Sequence, residues 1–167
     1  MKKRILIVFA CILAFGLLLP ARGAVPVEGA TNKDWNVNSF WFSPWGKSGV
    51  HKGIDIFAPA GTRVISSNVG LVIYTGNIAM GGNVVAVLGP KWRIHYYAHL
   101  QHINAKTGDF AGKGDIIGRV GRSGNAAGKP PHLHYSVLSL IPYPWRFSTE
   151  TQGWKKIFML NPIDTFK

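Results

Sequence analysis

The sequence predicts an all-β domain built on an antiparallel β-sheet, with few or no helices. Short runs rich in β-branched and aromatic residues recur along the chain, and turns of Gly, Asn and Pro separate them. After residue 24 no long stretch shows the 3.6-residue periodicity of an amphipathic helix. The strands are expected near residues 62–66, 69–75, 83–88, 92–100, 115–120 and 132–139.

The N-terminus has the three parts of a secretory signal peptide. A basic Met-Lys-Lys-Arg is followed by an apolar run over residues 5–19 and then by small residues. The apolar run is shorter than the about 20 residues that a membrane span needs. We therefore expect residues 1–23 to be a signal peptide that is cleaved after Gly23. Cleavage after Ala21 and retention as an uncleaved inner-membrane anchor are the alternatives.

Cleavage would change the charge and the cysteine content. Four basic residues and no acidic residue leave with residues 1–23, so the formal net charge falls from +12 to +8. The single cysteine, Cys11, also leaves, so the mature chain would have no disulfide. A basic, exported chain without a nucleic-acid-binding motif favours the cell wall or an anionic envelope surface as its partner and argues against nucleic acid.

The chain after the signal peptide divides into a leader at 24–45 and one domain at 46–167. Its length suits a single core, and it shows no repeat or second domain. The leader is expected to be irregular. Its aromatic side chains are interpreted as anchors that pack it onto the core, which is favoured over a role in sugar binding. These aromatic residues are Trp35, Phe40, Trp41, Phe42 and Trp45.

Two short motifs supply what a catalytic zinc site needs. Such a zinc typically takes three protein ligands and leaves a fourth position open for water. On a strand, His132 and His134 would share one face, because successive side chains alternate. His51 and Asp55 offer two further ligands, and Gly53 between them favours a bent strand or a loop over a helix. The sequence therefore predicts a metal-dependent hydrolase in which His51, Asp55 and one histidine of the pair bind zinc.

Three motifs follow one another along the chain: His51-Lys52-Gly53-Ile54-Asp55, Tyr97-Ala98-His99-Leu100 and Pro131-His132-Leu133-His134. In order and spacing they resemble those of the lysostaphin-type zinc endopeptidases, also called the LytM family. The resemblance runs from about residue 45 to about residue 166. It implies an antiparallel LytM-like β-sheet domain with a substrate groove.

The resemblance also implies a role for each site residue. His51, Asp55 and His134 match the family's ligands for one Zn²⁺ per chain, and His99 and His132 match its two catalytic histidines that do not bind the metal. In that chemistry zinc activates a water and polarises the scissile carbonyl. One neutral imidazole takes the water's proton, and the other stabilises the oxyanion or protonates the leaving amine.

Other polar residues have plainer interpretations. His95 shares the strand parity of His99 and could line the cleft, but a hydrogen-bonded or surface position is favoured. Ser123 lacks the motif of a nucleophile and is interpreted as a turn residue. Asp109 and Asp115 are expected to hydrogen bond locally in Gly-rich turns.

One segment departs from the family pattern. Residues 141–160 form an insert between the last predicted strand and the closing residues, and it is rich in aromatic and basic side chains. A substrate-groove wall, a membrane-surface loop and ordinary packing against the sheet are all consistent with that composition.

The resemblance implies an exported zinc metallopeptidase that hydrolyses peptide bonds in the stem or cross-bridge peptides of peptidoglycan. The alternative is a non-catalytic LytM-like module that binds the cell wall or activates an amidase. Modules of that kind have typically lost zinc ligands, whereas all five site positions are intact here. The bond that is cut depends on the groove loops, so the sequence does not name it.

Overall fold

A computed structural model describes residues 2–166 of the chain. Within them the fold consists of two antiparallel β-sheets, one α-helix and several short 3₁₀ segments. The helix is α1 (Lys2–Leu18). The strands are β1 (Ile54–Phe57), β2 (Arg63–Ile65), β3 (Gly70–Ile78), β4 (Gly82–Gly89), β5 (Arg93–Leu100), β6 (His102–Ile103), β7 (Phe110–Ala111), β8 (Ile116–Arg119), β9 (His132–Ser139) and β10 (Met159–Leu160).

The predicted β-fold is confirmed. The larger sheet has the order β1-β9-β5-β4-β3-β7, with β10 also paired to β9, and the smaller sheet has the order β2-β8-β6. Each of the six expected strands corresponds to an observed one. Four observed strands were not among the expected ones. β1 begins in the segment that was expected to be a bent strand or a loop, and β6, β7 and β10 have two residues each, too few to carry a pattern.

The centre of the larger sheet separates the core from the site. On β9, Leu133, Tyr135 and Val137 are fully buried, and Tyr97 on β5 packs with them in the same core cluster. Because side chains alternate along a strand, the even-numbered residues of β9 point to the opposite face. The core therefore fixes which face carries the histidines of β9.

The leader is irregular, as expected, but only part of it is pinned to the core. Val27 forms an isolated bridge with Val64 and is 2% exposed. Trp35 and Phe40 pack against the core, and Trp41 is buried. The expectation was wrong for the other two aromatic residues, since Phe42 and Trp45 are exposed.

Helix α1 covers most of the apolar run of the predicted signal peptide. Most of its large apolar side chains are exposed, and it meets the domain where Trp92 Nε1 donates to the carbonyl oxygen of Leu13 at 3.0 Å. None of the helices in residues 2–166 has both the length and the apolar character of a membrane span. The signal peptide and its cleavage site stay predictions.

His95 lies in the core and does not line the groove. Its ring is 1% exposed, Nδ1 is 2.6 Å from the Tyr135 hydroxyl, and Nε2 has no hydrogen-bond partner within the described part of the chain. Burial, followed by repulsion from Arg93, lowers the pKa of His95 to about 4. The favoured interpretation, a hydrogen-bonded histidine, is confirmed.

We expect His95 to make the protein less stable as the pH falls from about 6.5 to about 4. Between its ordinary pKa of 6.5 and its folded pKa of about 4, the unfolded chain binds a proton that the folded chain does not, so folding weakens with acid. The full effect is about 3 kcal/mol. Thermal melting of the wild type and of His95→Gln at pH 7 and pH 4.5 measures it. The variant should lose less stability than the wild type, and equal losses would contradict the assignment.

Candidate active site

A groove of about 670 Å³ lies over the face of the larger sheet opposite the core. Its floor is formed by side chains of β1, β5 and β9. One wall is the segment 44–50, and residues 80–81, 125 and 129–130 form the other side. All five predicted site residues line this groove: His51, Asp55, His99, His132 and His134.

Strand pairing brings three of them together as a candidate metal site. Asp55 on β1 lies directly opposite His134 on β9 in the antiparallel register, and His51 precedes β1. Asp55 Oδ1 is 3.1 Å from His51 Nε2 and 2.9 Å from His134 Nδ1, and the two nitrogens are 3.1 Å apart. These three atoms converge on one point.

Gly53 is required for this convergence. A Cβ at this position would collide with the carbonyl oxygen of Tyr135 and would lie 3.0 Å from His134 Cε1. Glycine therefore lets the segment that carries His51 and Asp55 rest directly on β9.

Hydrogen bonds on the far side of each ring orient the ligands. His51 Nδ1 donates to the carbonyl oxygen of Ser39 at 3.0 Å, and this fixes the proton on Nδ1, because a carbonyl only accepts. His51 Nε2 of the neutral ring then presents a lone pair to the site. His134 Nε2 is 2.9 Å from the Ser136 hydroxyl, which leaves Nδ1 facing Asp55. Partners of this kind orient and tune metal ligands.

The charge states of Asp55 and His134 fit a bound cation. Partial burial raises the pKa of Asp55, but contacts with His134 and His51 lower it by more, so the carboxylate is ionised. Burial is the largest cause that lowers the pKa of His134, so its ring is neutral at pH 7. A carboxylate oxygen and two imidazole nitrogens aimed at one point form a donor set that suits zinc.

His99 reaches the groove only because its backbone is left-handed. Alternation along β5 would point His99 into the core with Tyr97, but His99 has a φ of 65°, and the pairing of β5 with β4 shifts register nearby, between Asn83 and Val85. The His99 ring consequently lies 5.1 Å from the ring of His132, centroid to centroid. Shared parity was therefore the wrong reason to place His95 and His99 in one cleft.

His99 and His132 are both set up as proton acceptors. His99 Nδ1 donates to the carbonyl oxygen of Ser123 at 3.0 Å, and His132 Nδ1 donates to that of Pro130 at 2.8 Å. Each neutral ring therefore presents an unprotonated Nε2. Burial, with repulsion from His134 and His132, lowers the pKa of His99 to about 4. His132 Nε2 is 4.0 Å from Asp55 Oδ2, which places it beside the candidate metal site.

Ser123 is a positioning residue that the sequence did not reveal. Its hydroxyl donates to the carbonyl oxygen of Leu100 and accepts from the backbone N–H of Asn83, each at 2.9 Å, while its carbonyl holds His99. The interpretation of Ser123 as a turn residue is confirmed, since it caps a 3₁₀ turn. Partners 23, 24 and 40 residues away leave no local signal of the second role.

Trp45 is a second residue with an unexpected place. Its ring stacks on the His51 ring with a centroid distance of 4.1 Å and an angle of 21°, and it lines the groove. It was expected to anchor the leader, and it forms part of the groove wall instead.

Asp109 and Asp115 form local hydrogen bonds in turns, as expected. Asp109 Oδ2 accepts from the Lys106 backbone N–H at 2.8 Å, and Asp115 Oδ2 accepts from that of Gly112 at 2.7 Å.

Comparisons with known proteins identify the family of this chain. The sequence model of Peptidase family M23 matches residues 49–141, more than half of the chain. An L-Ala–D-Glu endopeptidase of Bacillus subtilis is 35% identical over 160 residues, which cover 86% of this chain and 48% of that protein. This chain thus spans about half the length of that relative.

Two solved structures share the fold. The catalytic domain of the antimicrobial peptidase lysostaphin from Staphylococcus simulans superposes with a TM-score of 0.60 at 25% identity, covering 77% of this chain and 88% of that one. A zinc-containing peptidase from Vibrio cholerae superposes with a TM-score of 0.57 at 25% identity, covering 70% of this chain and 36% of that one.

Proposed function

This chain belongs to peptidase family M23, and from this premise we propose that it is an exported zinc endopeptidase that hydrolyses peptide bonds in peptidoglycan. One observation carries the proposal. Three ligand atoms, from His51, Asp55 and His134, converge within 3.1 Å of one another, and two further histidines lie beside them in the same groove.

The chemistry follows from what each side chain can do. Zinc, when bound by His51, Asp55 and His134, lowers the pKa of a water and polarises the scissile carbonyl. His132 and His99 are placed to accept a proton at Nε2, because Nδ1 of each ring is held by a backbone carbonyl. A ring that takes the proton of the water becomes a donor and can return that proton to the leaving amine.

The charge of the groove supports a peptide that carries carboxylates. Lys47, Lys52 and Lys129 line the groove, and Asp55 is the only carboxylate among its lining residues. No ion pair joins any of these three lysines to a carboxylate within residues 2–166. An unpaired positive lining attracts an anionic substrate, so we favour a stem peptide with free carboxylates over a neutral polyglycine cross-bridge.

Export and the partner surface belong to the same proposal. Residues 1–23 would direct the chain to the periplasm or cell envelope, where peptidoglycan is accessible. The remaining charge of +8 would favour anionic envelope surfaces as well as the anionic wall.

Digestion of purified sacculi, followed by mass spectrometry of the released fragments, tests the function. Zinc-loaded protein should release fragments with new amino termini inside stem peptides. Release should be slower when the stem carboxylates are amidated, and slower still from a polyglycine cross-bridge. Absence of any peptide cleavage would contradict the endopeptidase, and stimulation of a separate amidase would then favour the non-catalytic alternative. Equal rates on free and amidated stems would reject only the preference for carboxylates.

A further inference from the structure

The 141–160 insert braces one wall of the groove. We define the wall loop as residues 44–50. We propose that Gln152, in the insert, is a positioning residue that holds the wall loop and, through Trp45, the metal ligand His51. The inference rests on the proposed function in one respect, the presence of zinc. The contacts from which it is argued are those of the structure.

The first step is the contact between the insert and the wall loop. Residues 141–160 contribute no side chain to the groove lining. Gln152 Nε2 donates to the carbonyl oxygen of Ser48 at 2.8 Å, and Lys155 Nζ donates to Gln152 Oε1 at 2.8 Å, which fixes the orientation of the amide. The fit is close, because a Cβ at Gly49 would lie 2.5 Å from Gln152 Nε2.

The second step leads from Ser48 to the ring of His51. The Ser48 hydroxyl donates to the carbonyl oxygen of Trp45 at 2.9 Å. Trp45 and Gly49 exchange two backbone hydrogen bonds of 2.9 and 3.1 Å, which close the loop on itself. The Trp45 ring covers the His51 imidazole at 4.1 Å. Tying Ser48 therefore also limits where the Trp45 ring can go.

A second contact reaches His51 from its backbone. Lys156 Nζ lies 5.5 Å over the Trp41 ring, within cation–π range. The backbone N–H of Trp41 in turn donates to the carbonyl oxygen of His51 at 2.7 Å. The insert thus reaches His51 by two routes, through Ser48 and Trp45 to its ring and through Trp41 to its backbone.

Through these contacts the insert acts on the site without lining the groove. One hydrogen bond, to Ser39, orients the His51 ring from behind, and the stacked Trp45 restricts its tilt. Removal of partners that orient a ligand typically weakens metal affinity or activity by about 10–100-fold. Gln152 does not touch His51 but acts on it through the wall loop, so we expect a loss of zinc affinity near the lower end of this range.

Gln152→Glu tests the proposal in the full chain. The variant keeps the size of the side chain and its contact with Lys155, but it lacks the amide N–H that Ser48 accepts. We expect its zinc dissociation constant, measured by chelator competition, to rise about 10-fold. Thr151→Ala is the matched control, because Thr151 is an exposed neighbour that lines no part of the groove, and it should bind zinc like the wild type. Unchanged zinc affinity in Gln152→Glu would overturn the proposal.

A double-mutant cycle tests the route through Trp45. Trp45→Ala should also weaken zinc binding. The double variant Trp45→Ala/Gln152→Glu should weaken binding by less than the product of the two single effects, because both residues act through the same chain of contacts. Independent, multiplicative effects would overturn this route. Zinc affinity is measured without substrate, so failure of the wild type to cleave peptidoglycan would reject the proposed function and leave this test intact.

Discussion

Replacing Asp55 with Ala should remove most of the bound zinc and lower peptidase activity by about 10³-fold or more. Asp55 Oδ1 is close to both other ligand atoms, 3.1 Å from His51 Nε2 and 2.9 Å from His134 Nδ1. Its loss removes the only negative charge among the three groups and leaves two neutral nitrogens, which hold zinc poorly.

Elemental analysis of purified protein measures this effect. The wild type should contain about one zinc per chain, and His51→Ala and His134→Ala should lose zinc as Asp55→Ala does. Glu28→Gln is a suitable control, since it removes an exposed carboxylate that pairs with Arg63 away from the groove. Full zinc occupancy in both Asp55→Ala and His51→Ala would show that the ligand assignment is wrong.

His132→Ala and His99→Ala should retain zinc and yet lose on the order of 10²-fold or more in turnover. Neither ring belongs to the candidate metal site formed by His51, Asp55 and His134, but in each ring Nδ1 donates to a backbone carbonyl and Nε2 is left for the groove. Truncation removes the general acid–base step and leaves the metal ligands in place.

The comparison of zinc content with turnover separates the two roles on β9. His134→Ala should lose both zinc and turnover, whereas His132→Ala should lose turnover alone. Zinc loss in His132→Ala with retention in His134→Ala would mean that the two roles are reversed. His102→Ala provides a control, because His102 is exposed on β6 and does not line the groove.

Part of the candidate metal site could be predicted from short-range rules. Alternation along one strand places His132 and His134 on one face, and Gly53 predicts a bent strand or a loop between His51 and Asp55. The choice of His134 over His132 rested on the family resemblance, and in the structure Asp55 pairs with His134.

His99, Trp45 and Gln152 could not be placed by such rules. His99 departs from alternation because of its left-handed backbone, and its orientation depends on Ser123, 24 residues away. Gln152 meets Ser48 across 104 residues. Contacts of this range arise from the assembled tertiary structure, which local propensity does not encode. The resemblance to a family identified His99 where the pattern of the strand did not.

The left-handed backbone of His99 limits how this site can be transplanted. A designer who copies the histidines onto a regular antiparallel sheet would obtain the β9 pair in place, but the third ring would point through the sheet into the core of the host. The graft must carry the register shift of β4 and the turn at Ser123 along with His99. It must also offset the about 1–2 kcal/mol that a left-handed non-glycine residue costs. The smallest transferable unit is therefore a bent strand with its supporting turn, and not a set of side chains.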